Sequence, residues 1–361
     1  MYTIKVNLKE NKYAITVGSR SLFHLGQALK NLRLGPDAVI VTNPLIKRLH
    51  GAKLVRGLNK KGFNVKFFEV PDGEQSKSAA VAFRLIDRIA RDDVKKKIFI
   101  IAFGGGVIGD LAGYVAAAYK RGVPYIQVPT TLLAQIDSAI GGKVAIDLAV
   151  GKNLVGAFYQ PKLVYSDTEL LSTLTLRQIR NGLAEAVKYG IICDPQLFAY
   201  LEANASKLLN ADPAVLREVV LRCSRIKAKV VMADEKETKG IRTILNFGHT
   251  AGHAIEAAGQ FKYYHHGEAV ALGMRVAAEL SSQRKLLNAS SRARINRLLD
   301  KIGLPKKIKG VSVAKILDHM EHDKKFAAGK NKFVLATRIG QVKIVEGVAK
   351  SAIVAAVKAW M

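Results

Sequence analysis

The sequence has little cysteine, and its two cysteines, Cys193 and Cys223, form no CxxC pair. They cannot supply a disulfide framework, and this usage agrees with a reducing compartment, so we expect a cytoplasmic protein. Long apolar runs are also missing. The most apolar long stretch, residues 98–119, contains Asp110 and five glycines, which favour a strand, a turn and a helix over a membrane span. The first twenty residues alternate apolar and polar side chains, which predicts a strand pair and not a signal peptide.

Acidic residues are scarce beside basic ones, 29 against 57, and the formal net charge is +28. Such a surplus raises nucleic acid as a partner, because lysine and arginine attract phosphate backbones. The basic residues are scattered, however, with short clusters such as 95–97 and 306–309, and no basic arm or aromatic-interleaved strand stands out. We therefore expect no dedicated nucleic-acid partner. A phosphorylated, carboxylated substrate explains a few of these charges and leaves the others without a functional explanation.

The chain is long enough for two cores at 361 residues, and 49% apolar and 24% charged residues are typical of a globular protein. Residues 37–170 alternate short apolar runs with amphipathic helical stretches, which predicts a Rossmann-like parallel sheet. After Thr173 the strand signals fade and long helical patterns follow, with one hairpin-like excursion around Gly340. We predict an α/β N-terminal domain over 1–173 and a mainly α-helical C-terminal domain over 174–361.

A glycine-rich turn follows the apolar run IFIIAF and precedes a predicted helix, with Gly104, Gly106 and Gly109 in GxGxxG spacing. Glycines let the backbone approach a pyrophosphate, and the helix N-terminus directs free amides at it. The alternative is a purely structural turn, since the acidic residue usually found about 20 positions downstream is absent here. The turn alone leaves both interpretations open.

Polar residues are dense in the glycine-containing stretch that follows, residues 128–161. This density beside an apolar strand indicates a binding site, and two separate Gly-Lys pairs suit phosphate or carboxylate oxygens better than a polar surface loop does. The residues are Thr130, Thr131, Asp137, Lys143, Lys152 and Asn153.

Histidines crowd the second half of the chain, where four of the eight lie within residues 249–266. His249 and His253 are four residues apart on one face of a predicted helix, a spacing that lets two imidazoles converge on a metal. His265 and His266 follow, so spacing alone does not determine which residues bind. Upstream, Glu185 and Lys188 share one helix face, where a salt bridge is the simplest interpretation.

Six blocks of the sequence, in this order, resemble the signature blocks of 3-dehydroquinate synthases. They span nearly the whole chain, and six blocks of unrelated composition at compatible spacings make the resemblance specific. The blocks are PDGEQSKS, GGGVIGDLAGYVAAAYKRG, VPTTLLAQIDSAIGGKVAIDLAVGKNLVGAFYQP, NGLAEAVKYG, RTILNFGHTAGHAIE and HHGEAVALGM.

The resemblance implies a role for each matching residue. The implied ligands of one divalent metal, zinc or cobalt, are Glu185, His249 and His266, with His253 beside the substrate and His265 a bystander. The implied NAD contacts are Asp72, Gly73, Glu74, Gln75, Ser76, Lys77, Gly106, Val107, Ile108, Gly109, Asp110, Thr130, Thr131, Lys143, Lys152, Leu170, Leu171, Ser172 and Thr173. The implied substrate contacts are Arg121, Asp137, Lys143, Asn153, Lys188, Lys227, Arg242, Asn246, His253 and Lys324.

The reaction that the resemblance implies is the second step of the shikimate pathway, towards chorismate and the aromatic amino acids. A hydroxyl of 3-deoxy-D-arabino-heptulosonate 7-phosphate is transiently oxidised by NAD, phosphate leaves, the hydride returns, and an aldol step closes 3-dehydroquinate. Such a lyase uses NAD without consuming it. The resemblance also implies a homodimer.

Three alternatives remain beside this interpretation. Metal-dependent polyol or glycerol-phosphate dehydrogenases share the glycine turn, the PTT block and paired histidines, and would consume NAD. Sister sugar-phosphate cyclases tend to change the groups that read the substrate carboxylate, whereas Arg242, Asn246 and Lys324 match the dehydroquinate pattern. A basic scaffold or nucleic-acid binder is the non-enzymatic alternative. One departure from the family pattern is DEKETKGIR, which is one residue longer than usual before Arg242.

Overall fold

The computed structural model describes residues 1–321 and 331–361 and divides into two compact units. Unit 1 comprises Met1–Thr175 and Leu216–Lys236, and unit 2 comprises Leu176–Val215 and Glu237–Met361. The division into units does not test the predicted functional domains, 1–173 and 174–361, which stay a prediction. Lys324 lies outside the described residues.

Unit 1 is built on a seven-stranded sheet in the order β1-β2-β9-β6-β5-β3-β4. Only β1 and β2 pair antiparallel, and every other neighbouring pair is parallel. The parallel sheet and the N-terminal strand pair predicted from the sequence are thus confirmed. The strands are β1 (Tyr2–Asn7), β2 (Lys12–Gly18), β3 (Asp37–Thr42), β4 (Asn64–Glu69), β5 (Ile98–Gly104), β6 (Tyr125–Pro129) and, further along, β9 (Leu163–Asp167).

Helices cover both faces of this sheet, because its central strands are apolar on both sides. Along β3, Ala38 and Ile40 belong to one buried cluster, and Val39 and Val41 to the other. The helices of the N-terminal part of unit 1 are α1 (Leu25–Leu32), α2 (Pro44–Ile46), α3 (Ala52–Asn59), α4 (Ala79–Asp92) and α5 (Gly106–Ala118).

A separate hairpin, β7 (Lys143–Leu148) and β8 (Gly151–Phe158), carries Lys143, Lys152 and Asn153 of the polar stretch 128–161 that the sequence predicts as a site. Gly113 of α5 is required for its approach, since a Cβ there would lie 2.3 Å from Val144 Cγ1. The hairpin therefore lies directly against the helix that follows the glycine turn.

Unit 2 is mainly helical, as predicted. Its buried apolar cluster includes Ile255, Leu272, Val276 and, from the predicted C-terminal hairpin, Leu335. The helices are α6 (Leu176–Ile192), α7 (Pro195–Leu209), α9 (His249–Ala258), α10 (His266–Gln283), α11 (Ala289–Ile302), α12 (Val313–Glu321) and α13 (Lys350–Lys358), and α8 (Pro213–Ala233) has most of its length in unit 1. The hairpin strands are β10 (Lys332–Arg338) and β11 (Gln341–Glu346).

Within residues 1–321 and 331–361, no helix combines the length and apolar character that a membrane crossing requires.

Candidate functional site

Three side chains of unit 2 converge from three different helices. Glu185 lies on α6, His249 is the first residue of α9, and His266 is the first residue of α10. One potential ligand atom from each residue lies within 4.8 Å of the other two. Nε2 of both imidazoles lies 3.3 Å from Glu185 Oε1. One carboxylate and two imidazoles at this separation fit a divalent metal that keeps further positions open.

Glu185 is fully buried, and neither of its oxygens accepts a hydrogen bond of normal geometry from the described residues. Its Oε2 instead forms an ion pair with the ammonium of Lys188, which is also buried. Burial raises the pKa of Glu185, but the charge of Lys188 and the two imidazoles outweigh it and hold that pKa well below its usual value. The carboxylate is therefore ionised and available to a cation, which is the state that a metal ligand requires.

Glycines allow the three helices to approach this closely. A Cβ at Gly267 of α10 would lie 2.2 Å from the backbone oxygen of Asn181 on α6. A Cβ at Gly273 of α10 would lie 1.9 Å from the backbone oxygen of Gly248, the residue before His249. Asn181 Oδ1 also accepts a 2.5 Å hydrogen bond from the Gly267 amide, which fixes the start of α10 against α6.

The imidazoles have different electrostatic environments. Burial lowers the pKa of His249, and the nearby Lys188 charge lowers it further against the opposing effect of Glu185. For His266, burial lowers the pKa, but contacts with Glu185 and Glu256 outweigh it and raise the pKa to about 9. His253 lies beside this group, with its ring 5.1 Å from that of His249 and 6.0 Å from that of His266.

The glycine turn of unit 1 joins β5 to α5, as predicted. Two of its glycines have a packing role, because a Cβ at Gly104 would lie 2.6 Å from Ile108 Cγ1 and one at Gly109 would lie 2.9 Å from Gln127 Oε1. Ile108 itself is buried in the apolar cluster beneath the turn. These two glycines therefore serve the packing of the turn.

Gly106 differs from its neighbours, since a Cβ there would meet only the flexible Ser138 hydroxyl, at 3.1 Å. The Oγ of Ser138 and the Oγ1 of Thr130 are both buried, and neither has a hydrogen-bond partner in the described part of the chain. The Thr130 amide donates to Gly104 O at 2.9 Å, which ties this threonine to the turn. Buried polar atoms normally have partners, so two such hydroxyls beside a glycine turn fit a polar ligand such as the dinucleotide.

Lys77 connects the loop 72–77, the first turn of α5 and the hairpin. Its ammonium lies 2.5 Å from Asp110 Oδ2 and donates to Asn153 Oδ1. Lys152 Nζ lies 3.5 Å from Glu74 Oε1. Burial raises the pKa of Asp110 to about 6, in spite of the opposing charge of Lys77. Five of the predicted cofactor and substrate residues therefore form two polar contact groups within unit 1, both of which join the loop 72–77 to the hairpin.

The rest of the loop 72–77 is held by one hydrogen bond from Asn43 and one within the loop. Asp72 Oδ1 accepts from Asn43 Nδ2 at 2.7 Å, and the Asp72 carbonyl accepts from Gln75 Nε2 at 2.9 Å. Gly73 has φ 98°, a conformation that favours glycine, and Ser76 is buried.

The predicted contacts at 170–173 divide between the core and the surface of unit 1. Leu170 and Leu171 are buried, so their side chains pack in the interior. Thr173 Oγ1 lies 3.0 Å from His50 Nε2, and Ser172 Oγ donates to a backbone carbonyl.

The predicted substrate contacts in unit 1 are brought together only in part. Lys227 forms an ion pair with Asp137, and Lys143 begins the hairpin that carries Asn153. Arg121 is exposed and follows the C-terminal end of α5. It is separated from the glycine turn by the length of that helix, about 18 Å at 1.5 Å per residue, so its role stays a prediction.

The predicted substrate contacts of unit 2 include one buried guanidinium. Arg242 is 3% exposed, and its Nε lies 3.3 Å from Glu237 Oε1. Asn246 ends the same short helical segment, Ile241–Asn246, which leads into the turn before His249.

One acidic residue in contact with the metal group, which consists of Glu185, His249 and His266, was not recognised from the sequence. Glu256 Oε2 lies 3.5 Å from His266 Nδ1. A signal was present, because His249, His253 and Glu256 follow i, i+4, i+7 spacing and therefore share one face of α9.

The chain matches two family models along most of its length. The model described as 3-dehydroquinate synthase N-terminal matches residues 67–181, and the one described as 3-dehydroquinate synthase C-terminal matches residues 182–326. A 3-dehydroquinate synthase from Pelotomaculum thermopropionicum is 45% identical over 352 residues, which cover 97% of this chain and 95% of that protein.

Two solved structures of ring-forming enzymes are similar over nearly all of both chains. The 2-epi-5-epi-valiolone synthase from Streptomyces hygroscopicus subsp. jinggangensis 5008, with NAD+ and Zn2+ bound, has a TM-score of 0.89 at 27% identity and 98% coverage of each chain. A 2-deoxy-scyllo-inosose synthase complexed with carbaglucose-6-phosphate, NAD+ and Co2+ has a TM-score of 0.90 at 26% identity and 100% coverage of each chain. The sequence is thus more similar to the Pelotomaculum protein than to either of these cyclases.

Proposed function

The chain belongs to the 3-dehydroquinate synthase family, and we propose that it converts 3-deoxy-D-arabino-heptulosonate 7-phosphate to 3-dehydroquinate and phosphate. The observation that carries the proposal is the convergence of Glu185, His249 and His266. The same polypeptide has a separate dinucleotide-type turn, and a metal together with a dinucleotide is what a transient oxidation requires.

When bound, the metal supplies a Lewis acid and NAD supplies a reversible hydride acceptor. Glu185, His249 and His266 would hold the metal, either zinc or cobalt. The backbone of the first turn of α5 would approach the NAD pyrophosphate at Gly106, with Thr130 as a polar contact. The helix N-terminus stabilises negative charge at that position through its free amides.

Positive side chains are assigned to the acidic ends of the substrate. Arg242 would grip the carboxylate, since a planar guanidinium donates two parallel hydrogen bonds to it. The other proposed substrate contacts are Arg121, Asp137, Lys143, Asn153, Lys188, Lys227, Asn246, His253 and Lys324. Ammonium and guanidinium groups near the leaving phosphate would stabilise the charge that develops on it.

The remaining cofactor contacts are proposed on the same basis. Glu74 and Lys77 would contact a ribose of NAD, which would explain why the downstream acidic residue of a dinucleotide fingerprint is missing. The domain assignment also follows: residues 1–173 would bind NAD, and residues 174–361 would bind metal and substrate.

We also propose a homodimer in the cytoplasm, without a dedicated nucleic-acid or membrane partner. Neither Cys193 nor Cys223 forms a disulfide in the described part of the chain, which agrees with a reducing compartment. Light scattering on the purified chain measures the assembly directly, and a monomeric mass at working concentration would contradict the dimer.

The experiment that tests the function combines the purified chain with the heptulosonate phosphate, NAD and zinc. Phosphate release and product identity are followed together. We expect one phosphate for each molecule of 3-dehydroquinate. Phosphate release with a different ring product would indicate a sister cyclase, and oxidation without phosphate release would indicate a dehydrogenase.

A further inference from the structure

The ring of His266 lies between two carboxylates. Its Nε2 lies 3.3 Å from Glu185 Oε1, and its Nδ1 lies 3.5 Å from Glu256 Oε2. The Glu256 side chain is 10% exposed, and it comes from α9, whereas Glu185 comes from α6. The two carboxylates thus face opposite nitrogens of one imidazole.

His249 has the same orientation with a different partner. Its Nε2 faces Glu185 Oε1 at 3.3 Å, and its Nδ1 lies 3.3 Å from the backbone oxygen of Phe247. Both imidazoles therefore present Nε2 to the proposed metal position and direct Nδ1 towards an oxygen. Such an outer oxygen fixes the tautomer and the ring orientation of a ligating histidine.

Nδ1 of His266 faces a charged carboxylate, whereas Nδ1 of His249 faces a neutral carbonyl, and this difference has an electrostatic consequence. Lys188 forms an ion pair with Glu185, so the charges of these two side chains offset each other. Glu256 brings a second carboxylate charge to this group of residues. An additional negative charge close to a dication strengthens its binding.

We propose that Glu256 is a positioning residue for the metal, accepting the Nδ1 proton of His266 and supplying the negative charge that Lys188 offsets at Glu185. This inference rests on the proposed metal site. It assigns to Glu256 two separable contributions, a hydrogen-bond acceptor and a charge.

Two substitutions separate these contributions. Glu256→Gln keeps the shape and an acceptor oxygen but removes the charge, and Glu256→Ala removes both. Loss of an outer-shell partner of this kind typically weakens metal binding about 10- to 100-fold. We expect that range for Glu256→Ala and a smaller loss for Glu256→Gln. The affinities of the full-length chain for Zn2+ and Co2+ are measured by competition with a chromophoric chelator.

Glu268→Gln is the matched control, because it removes the same charge two residues from His266. Glu268 pairs with Arg177 through two 2.8 Å hydrogen bonds and accepts from the His265 amide, so its hydrogen bonds are to residues other than Glu185, His249 and His266. We expect Glu268→Gln to bind metal as tightly as the unchanged chain. Thermal unfolding of each metal-free variant monitors any general loss of structure.

The visible spectrum of the Co2+-loaded chain gives a readout that a purely structural role would not change. We expect Glu256→Ala to shift the ligand-field bands, because the His266 ring is no longer held. Unchanged affinity and spectrum in Glu256→Ala, or an equal affinity loss in Glu268→Gln, would overturn the inference. Loss of metal in Glu185→Ala together with unchanged binding in Glu256→Ala would reject only the role of Glu256, whereas full metal binding in both would reject the site itself.

Discussion

Glu185 and Lys188 place two opposite charges in the interior of unit 2, on one face of α6. A buried charge is costly unless it is paired. Here the pair also leaves the second carboxylate oxygen facing two imidazoles. The salt bridge expected from spacing and the metal ligand implied by the family resemblance are therefore compatible interpretations of the same residue.

Metal binding should depend on each of the three converging side chains. In Glu185→Ala, His249→Ala and His266→Ala, we expect the chain to lose stoichiometric metal after dialysis against a weak chelator, because a two-residue remnant holds a divalent ion poorly. His265→Ala serves as the control, since His265 is exposed. Retention of one metal per chain in all three variants would show that the site lies elsewhere.

Substrate recognition should depend on the planar shape of the Arg242 guanidinium as well as on its charge. Replacement of a charge-assisted hydrogen bond costs about 1.5–3 kcal/mol, so Arg242→Lys should lower kcat/KM by about one to two decades. NAD affinity should hardly change. Steady-state kinetics and NAD titration on the same preparation measure both quantities.

Arg294→Lys is the matched control for Arg242→Lys, because Arg294 binds Glu202 at the surface of unit 2 and has no role in the proposed site. A wild-type kcat/KM in Arg242→Lys, or a parallel loss of NAD affinity, would show that Arg242 does not bind the substrate carboxylate.

At the scale of whole elements, close helix contacts position the metal group. α10 contacts α6 at Gly267 and the turn before α9 at Gly273. No sequence periodicity reveals such contacts, because a glycine in a helical pattern is compatible with many neighbours. The histidine spacing predicted a metal site on α9, but the contribution of α10 depends on this packing.

Gly273→Ala should weaken metal binding while leaving all three ligands in place. The new methyl would lie 1.9 Å from Gly248 O, so the backbone must shift, and overpacking of this kind costs about 1–3 kcal/mol of unfolding free energy. Gly259→Ala provides the control, since its Cβ meets nothing closer than 3.3 Å. Chelator competition and thermal unfolding should show losses only in Gly273→Ala. Equal metal affinity in both variants would mean that this contact does not position the ligands.

NAD binding should require the absence of a side chain at Gly106. A branched side chain would block close approach of a pyrophosphate to the backbone, so we expect Gly106→Val to bind NAD much more weakly and Gly106→Ala to lie between. Titration calorimetry measures the affinities, and thermal unfolding without NAD measures any packing cost at Ser138. Unchanged NAD affinity in Gly106→Val would exclude this turn as the pyrophosphate site.

The sheet was predictable and the β7–β8 hairpin was not, for a physical reason. Strands such as β3 and β5 are buried and apolar, so their residues form clear runs. Most of β8 is exposed or half-buried, and its alternation is weak. The hairpin is specified by backbone pairing and by the room that Gly113 leaves for Val144. The role proposed for Glu256 depends on its contact with His266, which lies on another helix. Spacing along α9 alone therefore does not reveal that role.

For the whole molecule, the residues assigned to NAD all belong to unit 1, and those assigned to the metal all belong to unit 2. The net charge of +28 is larger than the binding of one phosphorylated carboxylate requires.

We expect this chain to use NAD as a catalyst and not as a consumed substrate. The most direct measurement supplies the metal-loaded chain with excess heptulosonate phosphate and limiting NAD, and records phosphate release and NADH absorbance together. We expect phosphate release to exceed the supplied NAD many-fold while NADH does not accumulate, because the hydride returns within each turnover. Accumulation of one NADH for each substrate converted, with turnover ending when NAD is exhausted, would contradict the catalytic use of NAD and identify a dehydrogenase.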